Sequence, residues 1–275
     1  MIHLATMTSV CPDWTLDEIV SAMKRHGYRG LEPRVEWDHA AGIEASMTPA
    51  ERRAARDRLA GDGLEFCCLA TGVKMATPDA AERAGQVDDL RRYIELAGDL
   101  GAPCLRTFGG AHAPGDLLPI VDYVADGYRA VMDEAEARSV TVLMETHDFW
   151  SASAPVRAVV ERVGHARCAV LWDLLHPMRV LERPEVTFQN LSALTRHLHV
   201  HDYEYGPDGR SRAAALGEGL YDHEPPLRLL ADAGFEGYAS VEIIHGRGTE
   251  HDAEGVLSQY AGKLREYLKS GGASS

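Results

Sequence analysis

The sequence contains no apolar run approaching the roughly 18 residues that cross a bilayer, which excludes a membrane-spanning helix. Its opening stretch, MIHLATMTSV, lacks the basic leader and long apolar core of a signal peptide. Positive charge is scarce: 28 Lys and Arg stand against 42 Asp and Glu, for a net charge of −14. Nucleic acid and anionic membranes need a cationic face, so neither is expected as the main partner. A local cationic pocket for an acidic substrate stays open. Cysteine is sparse too. Cys11, Cys67, Cys68, Cys104 and Cys168 are odd in number and lack CxxC spacing, so no disulfide framework is expected. They read as reduced thiols in the cytoplasm. Adjacent Cys67 and Cys68 are expected on opposite faces of a strand, in packing roles rather than as nucleophiles. No linker or low-complexity run precedes the tail 269–275 (KSGGASS), which is expected to fray.

What is present is an ordinary globular mixture, 45% hydrophobic and 25% charged, which excludes a disordered or fibrous chain. A single domain spanning nearly all of the 275 residues is unusual for most folds but normal for an α/β barrel. Short apolar runs at 2–9, 30–36, 64–70, 104–109, 140–147, 168–174, 198–203 and 238–244 read as eight strands. Between them, 16–26, 49–60, 81–100, 117–138, 155–163 and 227–233 carry apolar residues at helical spacing. Thr15 with Glu18 forms a capping box, and Gly27, Gly63, Gly101 and Gly234 stand where helices should end. Eight βα units in series predict an α/β fold, a single (β/α)8 TIM barrel over residues 1–268. An open doubly wound sheet is second choice, because no GxGxxG follows the first strand.

In such barrels the chemistry lies at the C-terminal ends of the strands. Strand five ends in Glu145-Thr146-His147-Asp148 and strand six in Asp173-Leu174-Leu175-His176. Strand seven carries His199-Val200-His201-Asp202, and strand eight carries Glu242. Alternation puts Glu145 with His147, and His197 with His199 and His201, on shared faces. Buried carboxylates without partners cost several kcal/mol each, and a divalent cation removes that cost. Glu145, Asp173, His199 and Glu242 offer three oxygens and one nitrogen, a set that suits Mn²⁺, Mg²⁺, Co²⁺ or, less typically, Zn²⁺. Trp14, Trp37, Trp150 and Trp172 are candidates for an apolar wall beside a sugar ring, although Trp172 reads better as core.

At these residues the chain resembles the xylose isomerase-like barrel superfamily, in its sugar phosphate isomerase/epimerase branch. The ETH of strand five, WDLLH of strand six, HVHD of strand seven, Leu216-Gly217-Glu218-Gly219 and the SVE of strand eight carry the resemblance. It implies that Glu145, Asp173, His199 and Glu242 hold one divalent ion, Mn²⁺ first. It also implies that Glu145 and Glu242 are catalytic, with His176 beside the substrate. The reaction it implies is isomerisation or epimerisation of a keto sugar or keto-inositol, by proton abstraction next to a metal-held carbonyl through an enediolate. A lyase on the same site is the alternative, by dehydration or β-elimination including C-glycoside cleavage. An abasic-site endonuclease ranks lower, since it needs a basic groove and more metal ligands. His147, Arg106, His176 and His201 are expected to bind substrate. His201 replaces a Lys that many relatives carry, which argues against a phosphorylated substrate. Glu32-Pro-Arg34 resembles the E-x-R of keto-inositol isomerases over a short stretch. Relatives are often dimers or tetramers, so a homo-oligomer stays open.

Overall fold

The structure is a computed structural model and describes residues 1–112 and 115–269. Strands β1 (Ile2–Met7), β2 (Gly30–Glu32), β3 (Glu65–Phe66), β4 (Leu69–Lys74), β5 (Cys104–Phe108), β6 (Thr141–Glu145), β7 (Cys168–Asp173), β8 (Thr195–Val200) and β11 (Gly237–Val241) form one parallel sheet. Its order is β3-β2-β1-β11-β8-β7-β6-β5-β4. Strands β3 and β4 are two halves of the third barrel strand: β3 pairs with β2, and β4 with β5. The seam closes through a parallel bridge between Arg34 and Ala70, where Val35 N–H donates to Ala70 O (3.0 Å) and Ala70 N–H to Pro33 O (2.9 Å). The fold is therefore a single TIM barrel.

Helices α1 (Leu16–His26), α2 (Pro49–Ala60), α3 (Ala80–Leu100), α4 (Leu117–Arg129), α5 (Met132–Ala137), α6 (Ser153–Val163), α7 (Leu175–Arg179), α8 (Pro184–Leu191), α9 (Glu224–Asp232) and α10 (Ala253–Lys269) lie between the strands. The Thr15 capping box forms as expected, and Gly27 closes α1 in the left-handed region at φ 70°. The single helix expected over 117–138 is two, broken at Ala130 and Val131. The expected strand 198–203 also breaks: β8 stops at Val200, and β9 (Asp202–Tyr205) turns away to pair antiparallel with β10 (Ser211–Ala214). Beyond Lys269 the tail expected to fray lies outside the described residues.

The larger core lies between sheet and helices, with Leu31, Val142, Trp150 and Trp172 among its members. Strand β7, CAVLWD, is buried along its whole length, as a parallel strand covered on both faces must be. A smaller cluster (Ala5, Cys67, Cys68, Cys104, Leu143, Ala169 and Leu171) forms separately. This corrects the expectation for the paired cysteines. The strand is interrupted between Phe66 and Leu69, so alternation fails and both thiols enter one cluster. All five cysteines are free and buried. Burial raises the Cys67 and Cys68 thiols well above their ordinary value, which keeps them protonated and inert.

Candidate active site and metal centre

Four adjacent barrel strands deliver the polar cluster. Glu145 is the last residue of β6, Asp173 the last of β7, His199 the penultimate residue of β8, and Glu242 directly follows β11. Asp173 and Ser240 both stand level with His199, so Glu242 follows two residues further along its strand. The register thus brings together four side chains separated by up to 97 positions in the chain, and their ligand atoms lie within 4.8 Å of one another.

His199 sits at the centre. Its Nδ1 is 3.1 Å from Glu145 Oε1 and 2.9 Å from Glu242 Oε2. Burial opposes charge on His199, but Glu242, Glu32 and Glu145 together raise its pKa well above the ordinary histidine value. Burial likewise opposes ionisation of Glu242, but His199 outweighs it and holds the carboxyl at about 2. A proton on Nδ1 and a cation would compete for the same two carboxylates, so metal binding here would release a proton. Asp173 Oδ1 accepts the N–H groups of Leu175 (2.8 Å) and His176 (3.2 Å), which leaves Oδ2 facing the site. His201 Nε2 donates to that Oδ2 at 2.9 Å, and His176 Nε2 is 3.9 Å from it. Burial opposes the Asp173 charge, yet His201 and His176 hold its carboxyl well below the usual range. Asp173 in turn raises His201 to about 9 against its burial, whereas burial lowers His176.

The residues fit a divalent cation. Glu145 Oε2 is buried and has no hydrogen-bond partner among the described residues. Arg106 Nε stands 3.3 Å from it as an ion-pair partner without a hydrogen bond, so the oxygen is balanced in charge but still offers lone pairs to a cation. Three carboxylates and one imidazole supply a hard, oxygen-rich donor set.

Beneath the cluster lies a carboxylate to which the sequence reading gave no role. Glu32, at the end of β2, is fully buried. Its Oε1 accepts from His199 Nε2 at 3.0 Å and its Oε2 from His197 Nε2 at 2.8 Å. Burial opposes the Glu32 charge, and His199 and His197 hold it well below the usual range all the same. Cys68 completes a second compact set with Glu32 and His197. Its protonated thiol and the hydrogen bonds already made there mark that set as packing beneath the site.

Of the other expected residues, Arg106 is 1% exposed, with Nη1 donating to Thr71 O (2.9 Å) and Nε 3.3 Å from Glu145 Oε2. Its Nη2 is 3.9 Å from Glu242 Oε1, and its guanidinium lies 3.9 Å over the Phe108 ring. His147 stands further out. Its Nδ1 is 3.0 Å from Asp148, and its ring packs 4.3 Å from that of His176 and 4.7 Å from Phe108. His147 stands two residues beyond the end of β6, with its backbone still extended (φ −152°, ψ 156°). A cleft of about 230 Å³ opens beside Glu242 and His201, walled by Arg179, Tyr203, Arg212 and Ile244. Trp150 and Trp172 are core, while Trp37 is exposed and stacks on Arg34.

Arg34 is held by its backbone as well. Its N–H donates to Thr8 Oγ1 (2.9 Å), and Thr8 Oγ1 and His39 Nδ1 share a hydrogen bond (2.8 Å). His39 is buried beside two arginines, which disfavours its charged form. Burial, then Arg34 and Arg247, lowers its pKa from 6.5 to about 4. The unfolded chain therefore binds more protons in that interval. The stability His39 contributes is complete above pH 6.5 and is lost as pH falls towards 4. His39→Gln keeps an acceptor that does not titrate. In urea titrations it is expected to flatten the decline in stability between those pH values; an unchanged slope would contradict this.

The family model described as xylose isomerase-like TIM barrel matches residues 20–267. A search of the curated proteins finds no significant sequence match. Among solved structures, the chain is similar to an IolI protein with a binding zinc atom, at TM-score 0.82 and 16% identity over 99% of this chain and 100% of that one. It is similar to an L-ribulose 3-epimerase at TM-score 0.80 and 16% identity, covering 98% and 96% of the two chains. It is also similar to AsbF of Bacillus anthracis, a probable 3-DHS dehydratase, at TM-score 0.78 and 18% identity, covering 96% and 99%.

Proposed function

The chain belongs to the xylose isomerase-like TIM barrel family, and on that premise we propose that it is a metal-dependent isomerase or epimerase of a keto sugar or keto-inositol. The convergence of Glu145 and Glu242 on one nitrogen of His199, with Asp173 alongside, carries this reading. Glu145, Asp173, His199 and Glu242 would hold the ion, Mn²⁺ being the first choice and Mg²⁺, Co²⁺ or Zn²⁺ the alternatives. When bound, a divalent ion supplies Lewis-acid polarisation of a substrate carbonyl, which acidifies the neighbouring C–H bond.

The proteins' own groups then move the protons. One of Glu145 and Glu242 takes the proton from the carbon beside the carbonyl, leaving an enediolate, and the other returns a proton to the substrate. His176, whose pKa burial lowers, orients a substrate oxygen by hydrogen bonding. His147 and His201 contact the substrate from the rim, and Arg106 binds a hydroxyl or acid group. The small cleft beside Glu242 accommodates a monosaccharide or cyclitol. The five buried free thiols support a cytoplasmic location.

A lyase is the second reading, favoured by His176: its Nε2 lies 3.9 Å from Asp173 Oδ2, and in its imidazolium form it would give its proton to a leaving hydroxyl, which departs as water. Metal analysis and turnover in D₂O on a panel of keto sugars and keto-inositols test both readings. About one ion per chain, lost together with activity on chelation, and deuterium incorporation without loss of water are expected. Loss of water or an unsaturated product would establish the lyase instead. A chain that takes up no ion would end both readings.

A further inference from the structure

Two guanidinium groups stand beside the site carboxylates, and the proton transfer uses neither. Arg106 is buried between Glu145 and Glu242. Arg34, just beyond β2, directs a buried Nη1 that has no hydrogen-bond partner among the described residues. An unpaired buried donor of this kind costs on the order of 1–3 kcal/mol. Arg34 does not swing free to solvent. Thr8 fixes its backbone, and its guanidinium carbon lies 3.6 Å from the centre of the Trp37 ring. Burial and the repulsion of Arg106 lower its pKa to about 10, while Glu242 and Glu145 act in the opposite direction. The register agrees: Arg34 bridges Ala70 and Ala70 pairs with Arg106, so the two arginines stand level on either side of Ala70.

The electrostatic environment changes once the carboxylates hold a cation. Glu145, Asp173 and Glu242 are then largely neutralised by the ion and no longer balance two guanidiniums. Three carboxylates set against a divalent ion and two arginines leave these groups with more positive than negative charge. Two like charges held close, one with a free N–H edge, make an anion site.

We propose that Arg34, with Arg106 behind it, binds a carboxylate of the substrate, so that the sugar this enzyme acts on is a keto sugar acid. This rests on the metal-dependent reading above. A planar guanidinium edge with an unpaired N–H matches the two oxygens of a carboxylate. The overall acidity of the chain gives no hint of this, because the cationic feature is local and buried.

The experiment compares 5-keto-D-gluconate with L-sorbose, which differ in a carboxylate against a hydroxymethyl group. Both are titrated by calorimetry into the full chain loaded with Mn²⁺, with Trp37 fluorescence as a second signal and metal content assayed in each sample. The sugar acid is expected to bind at least about tenfold more tightly. Arg34→Gln should remove that preference with metal content and melting temperature unchanged, and Arg34→Lys should restore part of it. The proposal is overturned if Arg34 makes no difference to sugar-acid binding. Equal affinity for the two sugars, a preference that survives Arg34→Gln, and no binding of the acid all count as that result. Tighter binding of fructose 6-phosphate would overturn it in favour of a phosphate site. A chain with its ion in place and no Arg34-dependent binding loses only the carboxylate. A chain that takes up no ion loses the underlying reading as well.

Discussion

Glu242→Gln is expected to lower turnover by about 10³-fold or more, within the range general acid–base groups supply, while the barrel stays folded. The substitution keeps shape and removes charge. Glu242 lies at the mouth, directly after β11, and its backbone N–H donates to Val200 O (3.1 Å) whatever the charge of the side chain, so no strand pairing depends on its ionisation. Arg106 keeps its contacts with Thr71 and Glu145. The amide cannot take a proton from carbon, and it weakens one of the two carboxylate arms that flank His199 Nδ1. Metal occupancy should therefore fall as well. Raising the metal concentration until the site is full separates the two effects: occupancy returns, turnover does not. Deuterium exchange into substrate, metal analysis and a thermal melt read the three quantities. Near-normal turnover in the fully loaded variant would take Glu242 out of the chemistry. Glu145→Gln is the companion, and it has a further cost. Glu145 is completely buried against Arg106, so this variant should also melt earlier.

Glu145 and Asp173 were legible because each is a carboxylate ending an apolar strand, a position where a barrel normally has no use for charge, and His199 and Glu242 because they stand at or just beyond the ends of the next two strands. Glu145 follows TVLM and Asp173 follows CAVLW. What alternation cannot supply is the depth of the site. Glu32 also ends a strand, but its partners His197 and His199 stand 165 and 167 residues away, and only barrel closure between β1, β2 and β11 brings them near. Arg34 is marked in the sequence only by the short Glu32-Pro-Arg34 resemblance. That its Nη1 is buried and unpaired follows from packing that no local pattern predicts. The paired cysteines misled because a period of two presumes an unbroken strand, and β3 yields to β4 between them. Periodicity locates side chains within an element; it says nothing about where the element stops.

Removing Glu32 is expected to weaken metal binding by about 10–100-fold although Glu32 is not a ligand, the usual scale for a group that orients a metal-binding histidine. The argument turns on the two nitrogens of His199. Carboxylate oxygens only accept, so Glu32 Oε1 fixes a hydrogen on Nε2 at 3.0 Å and turns Nδ1 towards Glu145 and Glu242. That is the tautomer in which Nδ1 can offer its lone pair to an ion, and the negative charge of Glu32 makes the ring a better donor. Glu32→Ala leaves the Nε2 groups of His197 and His199 buried without this acceptor, so stability should fall together with affinity. Glu32→Gln separates the two. Its amide oxygen still accepts from one histidine, which protects the fold, but its amide nitrogen cannot accept from the other and the charge is gone. Competition with a chelator should place Glu32→Gln between the parent and Glu32→Ala in affinity, with its metal-free melting temperature closer to the parent. If Glu32→Gln bound metal as tightly as the parent, the buried carboxylate would be packing alone, and the orientation of His199 would have to come from Glu145 and Glu242 themselves.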